Sequence, residues 1–493
     1  MTSIRTAAQL TCFALLTFLM LDSAALFRHS TLLVLLPLIP LALVFVVAPS
    51  VMALRRESVS LFASFTWWQG LWVLFFLSGL VFRMRAAQDI DQSPLDIWAA
   101  YRVGLVLIIG LILFARLVFH RTNWLGTLFS GTIAFLAVYS LISVISTVWS
   151  VRPSWTLYKS IEYLIDLALI SAIVVTVRSV QDYRKLVNWT WTLLGLLVAS
   201  AWVGAIIDPA DGLLSGTNIG PLTVRLEGVM PSVDANTIGE ICAILALVSL
   251  HRILDDPEAK SSRAWYGGLL SASLVTLIFS QTRAAIVAFV VGLIVLLLVT
   301  RRFVLTGILA ALSTMGAMIV LTFTNFGGTL ADFLNRGQTT QSVRGLSGRV
   351  DVWQASFEAF ARRPWIGYGG FAGSRFVILP YIPSQAAASS ALSTYFDSLL
   401  DLGVWGPLII MVALVSAGWF LFQTTRNRHI DPLDRPLAVE MLVVLAVIIV
   451  RSFVTANIVG HPALQFLTVI GFIEVVRRHQ VAESRLHSLA RSS

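Results

Sequence analysis

A chain of 493 residues that is 57% hydrophobic and only 12% charged, with mean hydropathy +0.83, is not a soluble globular protein, in which about 25% of residues are charged. Apolar runs of roughly 20 residues recur along its length, which selects spanning helices over a membrane β-barrel. The net charge of +9 gives no argument for nucleic acid, because cytoplasmic loops of membrane proteins collect Lys and Arg.

Fourteen stretches read as candidate spans, near 8–27, 32–53, 61–82, 100–118, 124–148, 157–177, 186–207, 235–251, 264–281, 284–300, 303–323, 393–422, 438–455 and 461–476. With 12–14 as the range, the expected fold is an all-α polytopic membrane protein with one large polar loop, about 324–392, capping the outer face. The run after Arg5 ends in Ser23-Ala24-Ala25 like a signal peptide, but further spans follow at once, so an uncleaved first helix is expected. Cys12 and Cys242 sit inside apolar runs and suggest neither a disulfide framework nor a metal site.

Orientation follows from counting. With a cytoplasmic N-terminus, the inner segments hold 20 of the 35 basic residues, against 9 on the outer side once the six arginines of the long loop are set apart. Long loops are exempt from the positive-inside rule. Both termini are therefore expected in the cytoplasm and the long loop outside it.

Along the chain, Lys159, Glu162 and Asp166 fall at helical spacing in the sixth span, where Lys159 and Glu162 can pair. Arg102 and Arg451 lie near outer helix ends and read as interfacial. A second outer loop, 208–234, closes with Arg225, Glu227, Gly228, Pro231, Asp234 and Asn236, where Asp234 suits a helix N-cap. Ser280-Gln281-Thr282-Arg283 joins two apolar segments with almost no loop, so the Arg283 guanidinium sits at or below the membrane surface. A charge at depth costs about 2.5–3.5 kcal/mol and usually marks a substrate site, although an isolated Arg also snorkels to the headgroups.

The long loop carries Arg336, Arg344, Arg349, Arg362, Arg363 and Arg375, the string Gly348-Arg349-Val350-Asp351-Val352-Trp353, and Pro364-Trp365-Ile366-Gly367-Tyr368-Gly369-Gly370. Its Trp, Pro and Gly residues argue for a folded cap, and its aromatics either stack on sugar faces or form the cap's own core. Gly367 to Gly370 read as a turn, not a nucleotide loop, and no Walker, dinucleotide or zinc motif is present. Asp397 and Asp401, one turn apart, either face a site or cap and solvate a helix start. The tail from Arg477 is basic.

Arginine presents a rigid fork that matches phosphate oxygens bidentately. Arg225, Arg283 and Arg349, on the face where topology gives no reason for positive charge, point to a substrate with phosphate at headgroup level. A polyprenyl-diphosphate-linked sugar fits: lipid tail between helices, diphosphate at the interface, glycan under the cap.

Together these strings resemble the O-antigen ligase and Wzy polymerase superfamily over about 205–425. The pattern is Arg225, Gly228, Asn236 and Gly239; Ser280 to Arg283; Gly348, Arg349, Trp353, Pro364, Gly367 and Gly369; then Gly403 and Gly406. Residues 1–204 and 426–476 are flanking spans, and 477–493 a basic cytoplasmic tail. Ligases of the family carry a His-Asn pair eleven residues before the first of the last two glycines, where this chain reads Leu392-Ser393-Thr394-Tyr395. His461 is either a stand-in or a surface residue beside Pro462.

The resemblance implies an inverting, metal-independent transfer of a glycan from its polyprenyl-diphosphate carrier to an acceptor glycan, in the bacterial inner membrane and without a cofactor. In that scheme Arg225, Arg283 and Arg349 hold diphosphate and acceptor, while Asp351, Glu227 and Asp397 are candidate proton acceptors. Asn236, Ser280, Thr282, Trp353, Tyr368 and Tyr395 are candidate substrate contacts. Membrane lipid, flippase and chain-length or export proteins are the expected partners. The missing His favours a polymerase over a ligase to lipid A-core. The rival of another class is a transporter of the same lipid-linked sugar, which would show internal repeats and midplane charges instead of cations at one face.

Overall fold

The computed structural model describes residues 66–80, 97–119, 123–215, 224–229, 231–255, 262–302, 349–382, 390–427, 434–460 and 462–492. The first two expected spans, the one near 303–323, His461 and the loop up to Gly348 lie outside the described residues. In chain order the helices are α1 Trp67–Leu80, α2 Ile97–Phe119, α3 Trp124–Leu128, α4 Gly131–Ile145, α5 Pro153–Thr176, α6 Val180–Ile207, α7 Ala235–Asp255, α8 Arg263–Phe279, α9 Arg283–Val299, α10 Arg349–Arg362, α11 Thr394–Leu402, α12 Trp405–Arg426, α13 Asp434–Ser452 and α14 Leu464–Ser492. Two small antiparallel hairpins, Leu213–Ser215 with Val224–Leu226 and Gly228–Val229 with Ser232–Val233, are the strands among the described residues.

The chain is an all-α polytopic membrane protein. Among the described residues five helices are long and apolar enough to cross a bilayer: Ala99–Phe119, Gly131–Val148, Val180–Ile207, Ala235–Asp255 and Trp405–Arg426. Two expected spans are interrupted. The stretch 124–148 divides at Phe129-Ser130 into α3 and α4, because Gly131 adopts φ +52 and Glu474 accepts from the Thr132 amide (2.8 Å). The stretch 393–422 divides at Gly403, at φ +65, so that α11 is a short separate helix before the spanning α12. Helix α14 runs on through residue 477 to Ser492 without a break.

The described residues form two compact units, 66–193 with 349–492, and 194–302. In the larger unit α4, α5, α13 and α14 carry the buried core, with Tyr139, Tyr163, Phe466 and Phe472 inside it. Trp72 donates from its indole to Thr190 (3.1 Å) and Trp191 donates to Glu440 (2.6 Å), so the ring N–H groups are satisfied as burial requires. In the smaller unit α7 is almost wholly buried, and Trp202 donates to Thr276 (2.8 Å) while its ring meets Phe279 edge-on.

Candidate active site

In the smaller unit the polar motif residues gather around one tight turn. Ser280 ends α8 and Gln281 takes a left-handed φ of +50, a conformation that costs a non-glycine residue about 1 kcal/mol or more. The surroundings hold it there. The Gln281 side-chain amide donates to the Val224 carbonyl (2.9 Å), the Thr282 hydroxyl donates to the Ala235 carbonyl (2.9 Å), and Arg225 Nε donates to the Ser280 carbonyl (3.2 Å). Gly239 lies directly beneath, where an added Cβ would stand 2.8 Å from Ser280 Oγ and 2.9 Å from Thr282 Cβ.

Helix α7 begins above the same turn. Asp234 caps it, accepting from the amides of Asn236 (2.8 Å) and Thr237 (3.2 Å) and from the Thr237 hydroxyl (2.6 Å), as its sequence position suggested. Arg225 also faces Glu227 (3.7 Å). Burial pushes the Glu227 carboxyl above its ordinary range, while Arg225 pulls it back. Arg283 is the first residue of α9, half-buried, leaving the turn with its direction fixed. Arg225, Glu227, Asn236, Ser280 and Thr282 thus belong to one local construction. Ser280 and Thr282 are fully buried, and each hydroxyl donates to a backbone carbonyl, so their part is to shape the turn from which Arg283 emerges.

In the larger unit the loop's second half is folded. Arg349 opens α10, half-buried, and Asp351 lies exposed in its first turn, where a carboxylate suits the helix dipole. The segment after α10 is clasped to α11 by backbone bonds. Tyr368 N–H donates to Leu400 O (2.8 Å), Gly369 N–H to Asp401 O (3.0 Å) and Val404 N–H to Pro364 O (2.8 Å). Gly369, at φ +104, presses on Ser150, and Gly403 presses on the Pro364 carbonyl; neither place has room for a Cβ. The same segment docks on the α4–α5 connection: Val151 N–H donates to Tyr368 O (3.0 Å), Trp149 to Ile366 O (3.0 Å) and Gly370 N–H to Ser146 Oγ (2.8 Å).

The aromatics divide. Trp353 stacks on Phe396 (5.4 Å between centroids) and donates to Ala391 O (3.3 Å), and the buried Tyr368 donates its hydroxyl to Ala359 O (2.9 Å). These two form the loop's own core. Trp365 and Tyr381 are 67% and 82% exposed. Tyr395 is half-buried against Phe453, with ring centroids 4.8 Å apart.

Leu392, in the place of the ligase-type histidine, has φ +57. Its neighbours are pinned on both sides. Ala391 donates to Asp397 Oδ1 (2.7 Å) while accepting from Trp353, and Thr394 donates through N–H (3.2 Å) and hydroxyl (3.1 Å) to Thr455 O. Trp353 and Asp397 therefore meet at Ala391, next to one strained position, while Tyr395 faces Phe453. Asp397 and Asp401 are buried, not solvating a helix start as one reading allowed. Asp401 accepts from Tyr139 (3.2 Å) and the Gly373 amide (3.2 Å). On α11, which precedes the spanning helix, burial raises both carboxyls, Asp397 to about 6, and Asp401 further because Asp397 stands beside it.

Two further expectations are corrected. Arg102 and Arg451 are not interfacial: they are 8% and 0% exposed. Arg102 reaches Glu162 through Nε (3.0 Å) and Nη2 (2.7 Å), and Lys159 reaches the other oxygen at 2.5 Å, so the expected Lys159–Glu162 pair is a three-membered cluster. Sequence spacing shows neighbours on one helix, but the third member comes from a helix sixty residues away. Tyr139 was missed for the same reason.

Residues 268–411 match the model of the O-antigen ligase family, Wzy_C. This segment belongs to that family. The O-antigen ligase segment starts within α8 and ends within α12, so it contains the Ser280–Arg283 turn and the whole clasp, while Arg225 to Gly239 lie upstream of it. Its function is of the ligase and polymerase type in general. No curated protein matches the chain.

Proposed function

We infer that the protein is an envelope polysaccharide polymerase. It transfers a glycan from a polyprenyl-diphosphate carrier to the hydroxyl of an acceptor glycan, at the extracytoplasmic face of a bacterial inner membrane. The observation that carries this reading is the Ser280–Arg283 turn, which lies inside the family segment and is fixed by three side-chain hydrogen bonds so that Arg283 is delivered at the head of an apolar helix. Preorganised donors aimed where charge develops are the largest single source of catalysis in such transfers.

In the reaction, an acceptor hydroxyl attacks the anomeric carbon from the face opposite the leaving group. The new C–O bond forms as the bond to the diphosphate breaks, the electron pair departs with the diphosphate, and the hydroxyl proton passes to a carboxylate. Arg225, Arg283 and Arg349 are assigned to the diphosphate and acceptor. Glu227, whose raised affinity for a proton suits it to accept one, Asp351 and Asp397 are the carboxylates available. The second reading, a ligase using a distinct acceptor, rests on the description of the matched family; Leu392 in the histidine's place favours the polymerase.

Purified full-length protein given a polyprenyl-diphosphate oligosaccharide alone should yield a ladder of longer lipid-linked glycans. Product only when a different acceptor is added would make it a ligase. No transfer in either case, with the lipid substrate crossing liposome membranes, would make it a transporter.

A further inference from the structure

The loop segment Pro364-Trp365-Ile366 turns two large apolar side chains outward, Trp365 and Ile366, while Trp353 and Tyr368 make the loop's own core. Its place is fixed by the ends of two helices that are long and apolar enough to cross a bilayer. Trp149, just past the span Gly131–Val148, donates from its indole to Ile366 O (3.0 Å). Val404, just before α12, donates through its N–H to Pro364 O (2.8 Å). Helices α4 and α12 pack on each other. Each carries an exposed apolar stripe at helical spacing: Val138, Leu141 and Ile145 on α4, and Leu408, Met411 and Val415 on α12. Val148 and Trp405, next in the chain to the two donors, are exposed as well and carry these stripes up to the segment. A continuous apolar surface of this kind marks a membrane or partner contact.

The backbone of the segment suits the same place. Irregular chain enters the lipid layer only where its polar groups are paired. Pro364 brings no N–H, the Pro364 and Ile366 carbonyls accept from Val404 and Trp149, and the Gly367 N–H donates to Arg363 O (3.1 Å).

We propose that Pro364-Trp365-Ile366 is a membrane anchor: this turn of the loop is set into the interfacial layer of the bilayer, at the shared end of α4 and α12, with lipid as its partner. An indole is amphipathic and is enriched at that level. Arg362 and Arg363, exposed and preceding it directly, supply cations for the lipid phosphates, as snorkelling basic residues do. The anchor sets the height above the membrane of the clasp, and with it of α11. It requires a bilayer but does not depend on the polymerase reading.

The test uses the full-length protein carrying Cys12→Ala and Cys242→Ala, reconstituted into vesicles of phosphatidylcholine and phosphatidylglycerol. A nitroxide is attached in turn at Trp365→Cys, at Ile366→Cys, at Glu358→Cys as an exposed polar reference on α10, and at Val415→Cys as a reference within α12. Collisions with oxygen, which concentrates among acyl chains, and with a water-soluble nickel chelate report the depth of each label. Labels at 365 and 366 should lose most of the nickel collisions seen at Glu358, and their oxygen-to-nickel ratio should rise towards that at Val415. Nickel collisions as frequent at 365 and 366 as at Glu358 would overturn the anchor. Loss of both oxygen and nickel collisions would overturn it too, because a protein surface, from a second copy or another chain, would then cover the segment. Ile366→Cys reads the same depth should Trp365→Cys fail to fold.

Discussion

The Ser280–Arg283 turn and the Pro364–Gly403 clasp are both irregular chain between apolar helices, and they are held in opposite ways. The turn is fastened by side chains: Arg225, Gln281 and Thr282 each bond to a backbone carbonyl of another segment. The clasp is fastened backbone to backbone, and its motif residues contribute by having no side chain. Identical-looking motif strings therefore carry different information. Polar letters in the first fix the direction of a charged group, and glycines in the second fix a close approach of two strands of chain.

The sharpest break of this comparison is Arg283→Ala. It should lower glycan transfer by about 10²–10³-fold, as loss of one preorganised donor does, while the three side-chain bonds that hold the turn stay in place. Arg283→Lys keeps the charge, loses the fork and should still be severely impaired in the gel-ladder assay; unimpaired polymer from Arg283→Ala would sink the scheme. Gly403→Ala should do the reverse. Strain at φ +65 and collision with Pro364 predict about 2–3 kcal/mol of destabilisation in thermal or denaturant melts, with normal activity per folded molecule.

A pH test sharpens the clasp further. Asp397 holds its proton more tightly folded, near pH 6, than unfolded, so the native state binds more protons between about pH 4 and 6. Its contribution to stability is greatest below that window and declines as pH rises through it. Asp397→Asn should flatten the decline, a change of roughly 1–3 kcal/mol at neutral pH relative to the aspartate. A melt series with the same slope in both proteins would show that this carboxyl does not titrate there. The smallest effect is Tyr368→Phe, which removes one buried hydrogen bond to Ala359 and should cost about 1 kcal/mol in the same melts without altering product length.

The helices were legible in the sequence because hydropathy over twenty residues is a strong signal, and so was the Asp234 cap, because its partners are two and three residues away. The interruptions at Gly131 and Gly403 were not. Each sits inside an apolar run, and only a glutamate from α14 or a carbonyl from the loop reveals why the chain must turn. Likewise Lys159–Glu162 was readable as a local pair, but Arg102 as its third member was not, and a buried Arg451 near a helix end looks the same in sequence as one lying at the interface. Trp353 and Tyr368 could have been core or sugar platform. Packing alone assigns them to the core and leaves Trp365 and Tyr381 facing outward.

Because the clasp is written in backbone bonds, the chain it encloses leaves at Gly369 and returns at Leu400 with both ends joined whatever side chains stand there. Closing such a loop costs only about 0.6 kcal/mol more for each doubling of its length. The chain between is itself tied down, since Ala391 links Trp353 to Asp397 and Thr394 donates to Thr455. A stretch grafted there from another protein would therefore have to bring its own partners for Trp353 and Thr455 before the two ends could close around it.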